Sequence, residues 1–441
     1  GLQELALTLL VRLGHSTSTS DKTSLNVQPE WLVSDVVDHV IHLFNKKRDL
    51  LSEHVTSGIL QSLTSLLALG RSLPLSLRCR LVECVFLLAP ARAEAGVGNT
   101  GGHPGLPRLF REDVCESLVV GLMFASVDVD EVVAQQPSLV PHLLRRHVAH
   151  LFFHLSNSSL LDNALSAALQ RPDATSLATR FLFVLLSDVS TTLEEMVYRL
   201  RQLKQAQTDD THSDQIQPLQ TQLRSFCVLA THAVELYATV MGTESMLIVA
   251  AHDTPFLKAA ATVFGRVVID LCGAESRDLD VAEPEQIHYE PSRVLRGVGD
   301  GLLRLLQLAP FLPLLARTPR VVETNSLARA AQHLQSGFYE YHKVKELEQT
   351  AQSLRLIIES SSTPSQFLDA VVGVPLSSAV RLPSSGVVMD KTYAMRHCLA
   401  TQQDPVDHSP LLPRQLVVDA ELTRRARAEH THRTTSHPPP R

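Results

Sequence analysis

Apolar residues recur at three- and four-residue spacing along most of the first 345 positions. In SDVVDHVIHLF, Val36, Val37, Val40, Ile41 and Phe44 fall on one stripe, and Ser34 stands where a helix N-cap belongs. The same pattern predicts helices over 58–69, 77–89, 113–123, 143–155, 177–203, 221–241, 255–272, 292–316 and 325–348. AEAGVGNTGGHPGLP, TDDTHSDQ and CGAESRDLDVAEPEQ interrupt it as breakers. No fixed period of the ankyrin or tetratricopeptide kind is present. The pattern therefore predicts a mainly α fold, an elongated irregular helical-repeat body of armadillo/HEAT-like character built from stacked helix pairs.

The pattern changes after Glu359. SSSTPSQ reads as a linker, and the short β-favouring runs AVVGV, SAVRLP and GVVMD alternate with Pro, Gly and Ser before the helix-like TYAMRHCLA. A hairpin, a helix and a return loop fit in this segment, a size at which a domain is marginal without staples or a supporting partner. The divisions expected are a helical body over 1–348, a linker over 349–363, a small α+β domain over 364–430 and a disordered tail over 431–441, where THRTTSHPPPR has no core-forming pattern.

Composition narrows the partners. The chain has 441 residues, 44% of them hydrophobic, enough for a large core. With 40 Lys and Arg against 46 Asp and Glu, the mild negative balance gives no reason to expect nucleic acid or an anionic membrane, and leaves protein as the expected partner. Cys79, Cys84, Cys115, Cys227, Cys272 and Cys398 are scattered through apolar helical contexts without a CxxC pair, as in a reducing compartment. Charges cut the apolar runs, so no membrane span is expected. The sequence opens at Gly1 inside a helix-like run, LQELALTLLVRL, as a piece of a longer protein would.

Other motifs carry weaker chemistry. GVGNTG at 96–101 matches GxGxxG but follows a helical run instead of a strand, and reads as a loop. GVGDG at 297–301 lies inside a helical pattern. His147, His150 and His154 share a helix face with no Cys or carboxylate cluster beside them, so no metal is expected, and EEMVYRLRQLK reads as an exposed face with i,i+4 pairs. Cys398 sits in an amphipathic helix and reads as a small packed side chain instead of a nucleophile.

Residues 366–411 resemble the U-box, the zinc-free relative of the RING finger. The resemblance is carried by FLD at 367–369, the Leu-Pro-Ser-Ser turn at 382–385, Met389-Asp390-Lys391, His397, Leu399 and, most specifically, DPVDHSPL at 404–411. The helical body is similar to the core of the ubiquitin-chain elongation factors through LRCRLVECVFLLAP, RFLFVLLSDVSTTLEEMVYRLRQL and HYEPSRVLRGVGDGLLRLL, in that family's order, with the family's N-terminal part missing.

The resemblance implies a ubiquitin-protein ligase or chain-elongation factor without cofactors or metal. Its partners would be a ubiquitin-conjugating enzyme, ubiquitin and already ubiquitylated clients or their unfolding machinery, and it would act as a monomer in cytoplasm and nucleus. Val371 matches the first-loop anchor for the conjugating enzyme, His397 a helix contact and Pro405 the second-loop proline. His408 stands where an activating arginine is usual, and Asp390 and Asp404, with Ser384, Ser385 and Arg396, are the polar scaffold that replaces zinc. Transfer would proceed by orientation, with no covalent intermediate on this chain. Several positions depart from the family pattern: His408 for Arg, Gly373 for a large aromatic, Ser378-Ala379 for Asp-Pro, and Ala370 and Pro375. These substitutions leave a second reading open, a non-catalytic helical scaffold with a degenerate U-box.

Overall fold

A computed structural model describes residues 35–42, 53–88, 112–133, 140–208, 216–318, 325–336, 339–359 and 367–436. GVGNTG, SSSTPSQ and the residues after Ser436 lie outside the described residues. The chain divides into two compact units, residues 1–184 and 185–441.

In the first unit, helices α2 (Glu53–Leu67), α3 (Leu75–Leu88), α4 (Glu112–Val133), α5 (Val140–Asn157) and α6 (Leu161–Leu169) pair with their neighbours, α4 lies against α2, α5 and α6, and α1 (35–42) meets α3 through Arg80 and Asp38. Of the expected stripe, Val36, Val37 and Val40 are in the core and Ile41 is half-buried, while Ser34 and Phe44 lie outside the described residues. Phe152 stacks on Phe181 at 5.5 Å. The buried Arg78 is held by Asp128 at 2.6 Å, an arrangement in which the charge is tolerated because it is paired.

Helix α7 (Ala174–Thr208) runs from the first unit into the second. It contains an 18-residue window of mean hydropathy 1.2, long and apolar enough to cross a bilayer, where the sequence reading expected none; 61% of that window is buried within the protein. The interrupting charges are spaced more widely here than that reading assumed.

The second unit continues with α8 (Ile216–Met241), α9 (Glu244–His252), α10 (Thr254–Cys272), α11 (Pro291–Leu305), α12 (Phe311–Ala316), α13 (Ser326–Ser336) and α14 (Tyr341–Glu359). Helix α9 is turned by 89° from α8. The widest contact joins α8 and α11, and the GVGDG motif explains it. A Cβ on Gly297 would lie 2.7 Å from Val234 Cγ2, and one on Gly301 would lie 3.0 Å from the Tyr237 ring, so the glycines let two helices approach where larger residues would collide. The breaker CGAESRDLDVAEPEQ folds as two 3₁₀ turns, Ala274–Leu279 and Pro284–Ile287.

Two long helices expected from the sequence are each divided. The 292–316 run breaks between α11 and α12, where Pro310 has no N–H to continue the ladder, and the 325–348 run breaks between α13 and α14. Helix α14 then continues to Glu359, through most of the segment read as a linker, because Val344, Leu347 and Leu354 keep one face buried.

The C-terminal module contains a three-stranded antiparallel sheet in the order β2-β1-β3, with β1 (Ala379–Arg381) central, β2 (Val388–Asp390) and β3 (Val417–Val418). Val380 faces Met389 on one side and Val418 on the other. Helix α15 (Lys391–Thr401) follows β2, and α16 (Ala420–Ser436) follows β3. The run AVVGV, expected to be β-like, is a turn, for reasons given below. Helix α16 extends past residue 431, where the tail was expected to begin; it starts at Asp419, which accepts from Leu422 N–H, and it buries Ala426 against Phe367, Leu376 and Ala379.

Candidate functional site

The module is organised by three buried carboxylates. Asp369 accepts from Val371 N–H and Val372 N–H through Oδ1, at 2.8 and 2.7 Å, and from Asp390 N–H through Oδ2 at 2.7 Å. This capture of consecutive amides turns the chain back on itself. Gly373 sits at φ +78°, and its N–H returns to the Asp369 carbonyl. Those bonds are why 370–374 forms a loop although its composition favours a strand.

Asp390 closes the far end of that loop. Its Oδ2 accepts from Ser377 N–H, Ser377 Oγ–H and Ser378 N–H, and its Oδ1 caps α15 by accepting from Thr392 N–H at 3.0 Å. Burial pushes the carboxyl upward, but these donors outweigh it and hold Asp390 below the ordinary carboxylate range. Asp369, more deeply enclosed, is displaced upward by burial despite its own donors.

Asp404 ties the second loop to the hairpin. Its Oδ1 accepts from Val406 N–H at 2.8 Å and its Oδ2 from Ser385 Oγ–H at 2.8 Å, while Ser384 Oγ–H donates to Asp407 Oδ2. The result is two loops, one preceding and one following α15 in the chain, tied down by hydrogen bonds to buried carboxylates. Among the described residues, no group of three or more His, Cys, Asp or Glu side chains gathers as a metal site. His147 of the earlier histidine trio instead stacks on Phe86 at 4.1 Å, and burial lowers its basicity to about 4.

Of the sequence-selected residues, Asp390 belongs to the first of these networks and Asp404, Ser384 and Ser385 to the second. Arg396 does not; it pairs with Glu346 of α14 at 3.4 Å, and Tyr393 beside it donates to Ser353 Oγ. Asp369, Ser377 and Thr423, whose Oγ1 accepts from Ala379 N–H, were missed. A signal for the first was available, since Asp two residues ahead of a turn commonly bonds the backbone beyond it.

The four residues chosen for the conjugating-enzyme face differ in accessibility. Val371 is half-buried and Pro405 is buried. His397 is 1% exposed. Its Nδ1 accepts from Ala309 N–H at 3.3 Å, so the neutral ring carries its proton on Nε2, which is buried without a hydrogen-bond partner. Burial first, then neighbouring His408 and His252, lower its pKa to about 4 against the opposing pull of Asp404. His408 is exposed at φ +59°, its ring 4.3 Å from that of His252 at the end of α9. No atom lies within 4 Å of a Cβ built on Gly373, so the missing aromatic leaves open space. Leu399 and Val406 remain exposed apolar residues on this module, at 68% and 45%. Cys398 is buried and its thiol is pushed up to about 11 by burial, the opposite of an activated nucleophile.

Residues 2–355 match the sequence model of the ubiquitin elongating factor core family. The chain is 21% identical over 417 residues to ubiquitin conjugation factor E4 of Schizosaccharomyces pombe, covering 87% of this chain and 39% of that protein. It is 23% identical over 270 residues to E4 ubiquitin-protein ligase UFD2 of Saccharomyces cerevisiae, covering 55% of this chain and 28% of that one. A shorter stretch of 57 residues, 13% of this chain and 6% of the relative, is 40% identical to ubiquitin conjugation factor E4 A of Mus musculus. The chain thus spans well under half the length of these relatives.

Two outcomes follow from the geometry. Asp390→Ala strips partners from Ser377, Ser378 and Thr392 at once, a local loss of about 2–4 kcal/mol; amide exchange at Ser378 and Thr392 is expected to accelerate at least about thirtyfold, and unchanged exchange would show that the loop stands without it. His397 is bound neutral, so its contribution is complete above about pH 6.5 and lost as pH falls towards about 4, up to roughly 3 kcal/mol. Exchange protection of the Ala309 amide, corrected for intrinsic rates, is expected to fall through that window, and to lose most of this pH dependence in His397→Gln.

Proposed function

The chain belongs to the ubiquitin elongating factor core family, and from that premise we propose that its C-terminal module is a U-box that receives a charged ubiquitin-conjugating enzyme and promotes transfer of ubiquitin to a lysine of a client already carrying ubiquitin. The observation that carries this reading is the three-aspartate scaffold, which ties two loops beside one helix through side-chain oxygens, in the unit 185–441 that also holds the C-terminal part of the matched core.

The chemistry asked of such a module is positional. The chain supplies no nucleophile: the reacting bond is the thioester on the conjugating enzyme, and the attacking group is the acceptor amine. What the two loops contribute is a fixed docking geometry that limits the arrangements of the thioester-linked ubiquitin, which raises the fraction of encounters that react. Val371 is the proposed first-loop anchor, and Pro405 with the exposed Val406 forms the second-loop contribution. His408 is the group proposed to bridge enzyme and ubiquitin. A neutral imidazole offers one donor where a guanidinium offers five and a permanent charge, so transfer is expected to be slower than an arginine would permit. The names of the relatives, conjugation factors and a ligase, support this reading for the longer proteins that bear them.

Two features favour a second reading, a helical scaffold whose U-box no longer acts. His397 is turned into the protein and Gly373 lacks the aromatic contact area.

Single-turnover discharge of ubiquitin from a panel of charged conjugating enzymes onto free lysine separates the two. The ligase reading expects acceleration by the native chain, a loss of roughly tenfold in Val371→Ala, and a gain in His408→Arg. No acceleration by the folded native chain or by His408→Arg with any enzyme of the panel would give the scaffold reading the lead.

A further inference from the structure

The module does not project freely from the helical body. Helix α15 lies against α9, and the contacts fall on the side of the module that carries the second loop. His397 takes its hydrogen bond from Ala309, in the turn between α11 and α12. The His252 ring lies against His408, and His252 is itself oriented by Nδ1–H donation to the Ile248 carbonyl at 2.8 Å. Gln402, at the end of α15, donates to Glu244 at the start of α9 at 3.3 Å. Three of the four residues on the proposed enzyme face are thus buried or already in contact with another part of the chain.

A side chain that is 1% exposed cannot contact a second protein until something moves. The polar contacts that would have to break are weak: a long bond to a histidine that leaves its other nitrogen unpaired, a pair of exposed imidazoles, and an exposed amide-carboxylate bond. Exposed polar contacts of this kind contribute little net stability, and the unpaired Nε2 subtracts from it. The closed arrangement is therefore within reach of competition by an incoming protein.

We propose that α9 and the α11–α12 turn form an intramolecular cover over the second-loop side of the module, and that a conjugating enzyme binds productively only after this cover has separated from α15. Glu244 and His252 are its contact residues on α9. They take no part in transfer; they set the fraction of molecules whose enzyme face is open, and the apparent affinity falls in proportion to that fraction. This inference rests on the proposed function, because a cover over the module matters to transfer only if the module receives the enzyme.

The test uses the full chain in two forms. In the release form, Glu244→Ala and His252→Ala remove two exposed side chains on a helix. In the locked form, Glu244→Cys and Gln402→Cys are bridged by a short bis-maleimide, with N-ethylmaleimide capping of the same variant as control. Discharge of a charged conjugating enzyme onto free lysine is expected to rise at least threefold over native in the release form at subsaturating enzyme, with faster amide exchange at Ala309 and through α15, and to fall at least tenfold in the locked form against its capped control. Equal discharge by the locked and capped proteins would overturn the cover while leaving the ligase reading intact. Discharge by none of the forms, on protein whose helical content matches native, would overturn both.

Discussion

A carboxylate cannot be buried unless donors replace its water, and at Asp390 that requirement joins four parts of the module. This side chain, at the end of β2, accepts from Ser377 and Ser378, which lead from the first loop into β1, and from the first turn of α15, while its own N–H is taken by Asp369 at the start of that loop. Asp390 thus ties loop, strand and helix to one another, beside an apolar core in which Phe367, Leu376, Ala379 and Ala426 form one cluster and Val372, Val380, Leu382 and Met389 are also buried. Asp404 repeats the device for the second loop. Loop, strand and helix are tied here by side-chain oxygens and backbone amides, and the three carboxylates are shielded from water by burial.

The same economy shapes the helical body. GVGDG, whose three glycines lie inside a helical pattern, lets α11 admit Val234, Tyr237 and Phe264 into close contact. Asp300 within that motif accepts from the Tyr339 hydroxyl and from Lys343 at 2.9 Å, linking α11 to the start of α14. The motif is thus absorbed into packing and into one polar anchor.

Much of this was legible from residues. Helix positions followed from apolar spacing, because a buried stripe is a local property, and the hairpin followed from two β-favouring runs around Pro383 and Gly386. What failed were features set by partners distant in sequence or by single backbone groups. The AVVGV run became a turn because Asp369 captures its amides, a side-chain bond that composition does not report. Strand β3 is two residues long and depends on pairing with Arg381 and Val380. Asp390 and Asp404 were identifiable because a resemblance pointed to them, whereas the burial of His397 against Ala309, 88 residues away, was invisible to any local pattern.

The central claim is that the two aspartate-tied loops together receive a conjugating enzyme. Hydrogen-exchange footprinting of the full chain with a conjugating enzyme carrying ubiquitin through a stable bond tests it most directly. The account predicts protection confined to the two loops, around residues 370–375 and 404–409, with loss of protection in α9 as the module is engaged. Protection restricted to the helical body, with both loops exchanging as they do in the free protein, would contradict it.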